Sequence, residues 1–174
     1  LPQVVTRQSS PAIPTVLSFG KVVAEAAQNI IPGEVYIEGT FRTLDETWRY
    51  RAHDLMKLMA ESIARGMGGD IDFEVLRGYP FLKNDEALTA NARKLAADYV
   101  GEENIVDLDT WMAAEDFAYY SQVIDACFYR LGVSNAEKGI NSMVHTPTFD
   151  IDEEALVLGP GLMAWLAINT LKGS

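Results

Sequence analysis

From Glu34 to Arg42 the side chains alternate, with Val35, Ile37, Gly39 and Phe41 on one face and Glu34, Tyr36, Glu38, Thr40 and Arg42 on the other. A period of two commits this stretch to a strand with one covered face. The neighbouring segments narrow the fold further. Leu44-Asp45-Glu46-Thr47 opens a helix in which Trp48, Ala52, Leu55, Met56, Met59 and Ile63 share one stripe, and Gly66, Gly68 and Gly69 close it. Asp70 to Arg77 alternates again, with Ile71, Phe73 and Val75 inward. Upstream, Leu1 to Ser10 reads as the tail of a helix, and Thr15 to Ala24, beyond Pro11 and Pro14, is rich in strand formers. The order helix end, strand, strand, helix, strand predicts a βαββαβ ferredoxin-like unit, incomplete at its N-terminus.

Gly78 to Asp85 breaks the pattern and marks an expected domain boundary, giving residues 1–78 and 79–174. Beyond it the expected elements are a helix over 86–100, a short strand Ile105–Leu108, a short helix Ala118–Val123, a strand Ala126–Val133 and a last helix after Asp152. The last helix is apolar nearly all round, through Leu156, Leu162, Met163, Leu166 and Leu171, which calls for burial in a larger body. Gly159-Pro160-Gly161 inside it predicts a kink. These elements are too few to close a doubly wound sheet, so the second half reads as the C-terminal part of a larger α/β domain.

Lys and Arg number 14 against 25 Asp and Glu, for a net charge of −11. That balance argues against nucleic acid or an anionic membrane as partner. No apolar run comes near the ~18 residues of a membrane span, and no signal-peptide pattern opens the chain. A cytoplasmic location is the expectation. The chain starts at Leu1 without an initiator Met and reads as a fragment or processed product. One cysteine, Cys127, excludes an internal disulfide, and its setting reads as buried strand and not as a nucleophile.

His145 is the residue with the most chemical interest. Pro147 pushes Thr146 toward extended backbone, so His145 belongs on a stiffened loop. Asp152 is placed to cap the following helix, with Glu153 and Glu154 in its first turn. A His so held is a fixed ligand or proton carrier, or else an ordinary loop residue, and spacing alone does not decide. His53, beside the apolar stripe of the earlier helix, reads as an ordinary solvated His. Glu115 and Asp116 are adjacent and point different ways, so they cap the helix near Phe117 more readily than they act as paired acids. A metal-free carboxylic-acid site built from Asp109, Glu115 and Asp116 has no geometric support.

Five runs carry a resemblance: Ala27-Gln28-Asn29-Ile30-Ile31-Pro32-Gly33-Glu34-Val35, Glu38-Gly39-Thr40-Phe41-Arg42-Thr43, Ala113-Ala114-Glu115-Asp116-Phe117, Arg130-Leu131-Gly132 and His145-Thr146-Pro147-Thr148-Phe149-Asp150. In order and spacing the chain resembles the zinc-dependent aminoacylase, hippurate hydrolase and auxin-conjugate amidohydrolase group, of the glutamate carboxypeptidase superfamily. The resemblance implies a ferredoxin-like dimerisation lid over residues 1–78, joined to the C-terminal segment of a zinc-peptidase-like α/β catalytic domain over 79–174.

It implies two divalent ions, Zn2+ or else Mn2+ or Co2+, with His145 as one ligand and a base Glu upstream of this chain. No catalytic base is expected within it. Asn29, Arg42 and Gly132 match positions that hold the substrate, an N-acyl amino acid or small peptide. Asn29 alternatively is a turn residue with left-handed backbone, Arg42 a surface ion pair, and Gly132 a tight turn. The expectation is part of a homodimeric metal-dependent amidohydrolase, inactive as the isolated chain. The alternative is a non-catalytic dimerisation module.

Overall fold

Asp45 lies in extended backbone and its carboxylate accepts the Trp48 amide at 2.6 Å, so the long helix starts where an N-cap allows it. The computed structural model describes residues 1–172. They fall into two units: Leu1–Leu82 with Trp111–Ala118, and Lys83–Thr110 with the chain from Tyr119 onward.

In the first unit, strands β1 (Thr15–Val23) and β2 (Tyr36–Thr43) pair antiparallel, from Thr15 opposite Thr43 to Val23 opposite Tyr36. The register shifts between Phe19 and Lys21, which leaves Gly20 as the extra residue of a bulge. Opposite Phe19 sits Gly39, where a Cβ would stand 2.6 Å from the Ser18 carbonyl oxygen and 2.7 Å from the Phe19 ring. Only glycine fits there. Helix α1 (Glu46–Gly66) buries Trp48, Ala52, Met56 and Ala60. With Val4, in a π-helical turn over Val4–Gln8, three of these form the core, flanked by Leu17, Phe41, Leu55, Met59 and Phe73. The Trp48 indole donates to Thr15 Oγ1 at 3.1 Å and ties α1 to β1. Gly68, at φ 81, ends the helix as the glycines promised.

The strand expected over Asp70–Arg77 is absent. Its alternation survives as burial, since Phe73 packs on the core and Val75 is half-buried while Asp72 and Glu74 are exposed. Ile71, also expected inward, is exposed. A strand needs a neighbour to bond to, and the only sheet among the described residues has the order β1-β2.

In the second unit, helix α2 (Glu86–Val100) is capped by Asp85, which accepts the Leu88 amide at 2.7 Å, and is stopped by Gly101 at φ 91. The strands expected at Ile105–Leu108 and Ala126–Val133 do not form. Over Ala126–Phe128 the backbone bonds elsewhere: Asn84 accepts from the Phe128 amide at 2.8 Å and donates to its carbonyl at 2.9 Å, and the Asp85 amide donates to Ala126. One side-chain amide thus does for this segment what a neighbouring strand would do. Cys127 is half-buried there, outside any strand. Helix α3 spans Ala118–Ser121, shorter than expected.

Helix α4 (Ala155–Lys172) packs on α2. Trp165 donates to the Leu95 carbonyl at 2.9 Å, and its ring lies 5.9 Å from that of Tyr99. A Cβ at Gly161 would meet the Tyr99 hydroxyl at 2.2 Å, so this glycine admits the close approach. Pro160 lies inside the helix, which continues through it. Leu162 and Leu166 are buried, whereas Val157 (80% exposed) and Leu171 (77%) are not, so the chain itself covers one side of this apolar helix. By length and composition α4 could cross a membrane, contrary to the expectation that no such run exists. Glycine, proline, Asn169 and Thr170 interrupt the apolar run, but the sole charge within the helix is Lys172.

Candidate functional site

His145 sits near the tip of a loop running from Val133 to Asp152, and the loop is braced at its base. The Asp152 amide donates to the Val133 carbonyl at 2.8 Å. The Asp152 carboxylate accepts from Lys138 Nζ at 2.8 Å, from Asn135 Nδ2 at 2.6 Å and from the Glu154 amide at 3.3 Å. Asn135 also exchanges backbone bonds with Ile140 and accepts the Glu137 and Lys138 amides through Oδ1, closing a turn completed by Gly139 at φ 75. Nearer the tip, Ser142 and Thr148 share a hydroxyl bond of 2.9 Å, and the Thr146 hydroxyl donates to the Met143 carbonyl.

His145 itself is exposed and has φ 66, the sole left-handed residue other than glycine among those described. That backbone costs a side-chain-bearing residue about 1 kcal/mol or more, which the surrounding bonds must hold in place. Lys138 and, next, Asn135 depress the Asp152 carboxyl to about 2, and the same contact with Asp152 raises the Lys138 ammonium.

Asp152 is in part the helix cap expected of it, since its carboxylate accepts the Glu154 amide at 3.3 Å and its carbonyl the Ala155 amide at 2.9 Å. Helix α4 begins at Ala155, and the carboxylate serves mainly the loop. Lys138 and Asn135 were not legible as partners. Asn135 followed by Lys138 and Gly139 signals a side-chain-closed turn, but nothing in that signal reaches on to Asp152.

Asn29 is exposed in the turn between β1 and β2, without the left-handed backbone considered for it. Arg42 is exposed on β2 and donates to the Met112 carbonyl at 2.8 Å, in place of the surface ion pair considered as its alternative. Gly132 is exposed, and a Cβ there would meet nothing within 4 Å. Asn29 and Arg42 belong to the first unit, Gly132 and His145 to the second. Glu115 accepts the Phe117 amide at 3.3 Å just before α3, as a capping role requires. Asp109 is exposed on an irregular stretch.

His53 is not the plain solvated histidine expected. It is half-buried, its ring lies edge-on to Phe41 and Tyr50, and its Nδ1 is enclosed without a hydrogen-bond partner. Burial, then the charges of Arg49 and Arg77, push its pKa down.

Among the described residues no three His, Cys, Asp or Glu side chains could share a metal ion. A two-ion centre does not fit these residues by themselves.

A profile of Peptidase family M20/M25/M40 matches residues 8–169, and the chain belongs to that family. It is 33% identical over 172 residues to an N-acetylcysteine deacetylase of Bacillus subtilis, covering 99% of this chain and 43% of that protein. It is 30% identical over 167 residues to thermostable carboxypeptidase 2 of Saccharolobus solfataricus, covering 95% and 42%. Among solved structures, the Bacillus subtilis YXEP protein, described as a dinuclear metal-binding peptidase of the M20 family, is 31% identical with a TM-score of 0.74, covering 91% of this chain and 42% of that one. The α/β architecture accords with that family's fold, and the resemblance drawn from five motifs is borne out. The chain spans about two fifths of the length of these relatives.

Proposed function

We propose that this chain is the lid and C-terminal catalytic segment of a metal-dependent amidohydrolase that cleaves the amide bond of N-acyl amino acids or small peptides. The observation that carries the reading is the family match over residues 8–169, within which His145 stands on a loop braced at both levels. A deacetylase and a carboxypeptidase among the relatives support a linear amide as substrate.

In this reading residues 1–78 belong to a ferredoxin-like lid that pairs with a second copy, and 79–174 to the catalytic domain. His145 supplies one ligand to a pair of divalent ions, zinc first among them, as the dinuclear YXEP protein suggests. Such ions polarise a carbonyl and bring bound water to a pKa of about 7. The base Glu and the other ligands come from outside this chain. Arg42 offers a guanidinium for the substrate carboxylate once released from Met112, Asn29 an amide donor to the developing oxyanion, and Gly132 open space beside the backbone. The net charge of −11 supports the absence of nucleic acid and of anionic membrane as partners, and a cytoplasmic location completes the reading.

The test compares this chain with a protein extended upstream to the relatives' length. Both are assayed for bound zinc and for hydrolysis of N-acetyl amino acids and dipeptides. The expected result is metal-dependent turnover only in the extended protein, abolished by His145→Ala. An extended protein that binds metal and hydrolyses none of these amides sinks the reading. Dimerisation through the lid without hydrolysis would favour the dimerisation module instead.

A further inference from the structure

We propose that Asn135, Lys138 and Asp152 form a positioning clamp that holds the loop closed and keeps His145 in its left-handed backbone. The clamp deepens the proposed function, on which its purpose rests, while its geometry stands apart from any metal.

Three observations meet in it. The first is strain, since φ 66 at His145 is a conformation that a free loop would leave. The second is closure. Val133 and Asp152 are joined by a backbone bond, and the Asp152 carboxylate collects an ammonium, a side-chain amide and a backbone amide at that same point. Charge-assisted bonds of this kind are the stronger class, and here they close a long loop whose free ends would otherwise diffuse apart. The third is specificity of route. Asn135 fixes the Glu137–Lys138 turn by its side-chain oxygen and reaches Asp152 by its nitrogen, so one residue aims the Lys138 ammonium and helps hold its target. Glu154 adds a second carboxylate to Lys138 at 3.2 Å but lies exposed on the α4 side. The clamp residues act through His145 and are positioning residues.

The test is NMR on the isotopically labelled 174-residue chain. A residue with positive φ brings its own Hα close to its amide proton, so a strong intraresidue cross-peak at His145 reports the clamped state directly. Amide exchange at Ile140 reports closure of the turn. In Asp152→Asn and Lys138→Met the expected result is loss of the His145 signature and exchange at Ile140 faster by about tenfold or more, with α2 and α4 amides unchanged. Lys138→Arg keeps both. Glu153→Gln removes the same charge from the next residue, which is exposed and takes no part in the clamp, and leaves both as in the parent chain. Retention of the His145 signature in Lys138→Met and Asp152→Asn overturns the clamp, as does its loss in Glu153→Gln. Should Asp152→Asn unfold, Lys138→Met against Lys138→Arg decides alone. Failure here leaves the amidohydrolase reading standing, and absence of hydrolysis in the extended protein leaves the clamp standing.

Discussion

Removing the Trp48 indole is the sharpest test of the first unit's core. The ring is buried beside Val4, Ala52 and Met56, and its N–H reaches Thr15 Oγ1 at 3.1 Å. Trp48→Ala deletes the largest side chain in the cluster, and truncations of that size cost about 3–5 kcal/mol. Trp48→Phe separates two contributions. The lost hydrogen bond is worth about 0.5–1.5 kcal/mol and the smaller ring leaves a void costing about 1 kcal/mol, for a total near 2 kcal/mol. No orphan is created, because Thr15 Oγ1 keeps Ser9 at 3.0 Å and the Ile13 carbonyl at 3.1 Å. Urea unfolding followed by far-UV circular dichroism, with the slope compared between variants, gives both numbers. A cost for Trp48→Ala below about 1 kcal/mol would show that this cluster does not hold the unit together.

Gly39→Ala should destabilise the fold by an overpacking cost of about 1–3 kcal/mol, read as a lower urea midpoint, because the new methyl meets the Ser18 backbone and the Phe19 ring; an unchanged midpoint would mean that the strands part without cost. His53 titrates below its ordinary value of 6.5 in the folded chain, so the unfolded chain binds the proton first; stability is full above 6.5 and falls as pH drops through it, and urea midpoints from about pH 7.5 to 5.5 should fall in the parent but flatten in His53→Phe. Asp152 behaves as a depressed carboxylate: its contribution is present above the unfolded value of 3.8 and is lost as pH falls toward about 2, which carboxyl carbon shifts will show, whereas a midpoint near 3.8 refutes the Lys138 pairing.

Helices were legible in the sequence because their rules are local. Asp45 and Asp85 cap α1 and α2 at the Trp48 and Leu88 amides, Gly68 and Gly101 stop them, and the apolar spacing between already names the covered stripe. Ile63, at 54% exposed near the C-terminal end of α1, is the exception on the α1 stripe. Strands are not local. Alternation over Asp70–Arg77 correctly put Phe73 on the core, yet alternation says nothing about whether a neighbour's ladder is free. At Ala126–Phe128 the backbone found Asn84 instead, a partner that no periodicity encodes.

The candidate site divides along the same line. The loop character of His145 follows from Pro147, a neighbour in sequence, and its importance from a motif; neither foretells φ 66. In the proposed clamp that angle depends on side chains joined across the loop, Lys138 and Asn135 to Asp152. An Asp just before a helix has two outlets for its lone pairs, the first-turn amides and any cation the preceding loop returns to it. Here the second prevails, since Lys138 approaches to 2.8 Å while the Glu154 amide stays at 3.3 Å. The bond to Lys138 is charged on both sides and the bond to the Glu154 amide on one, so the residue that sequence rules assign to α4 is shared with the loop and held there the more closely. Asp85, which makes no ion pair among the described residues, gives its carboxylate to the Leu88 amide of α2 instead.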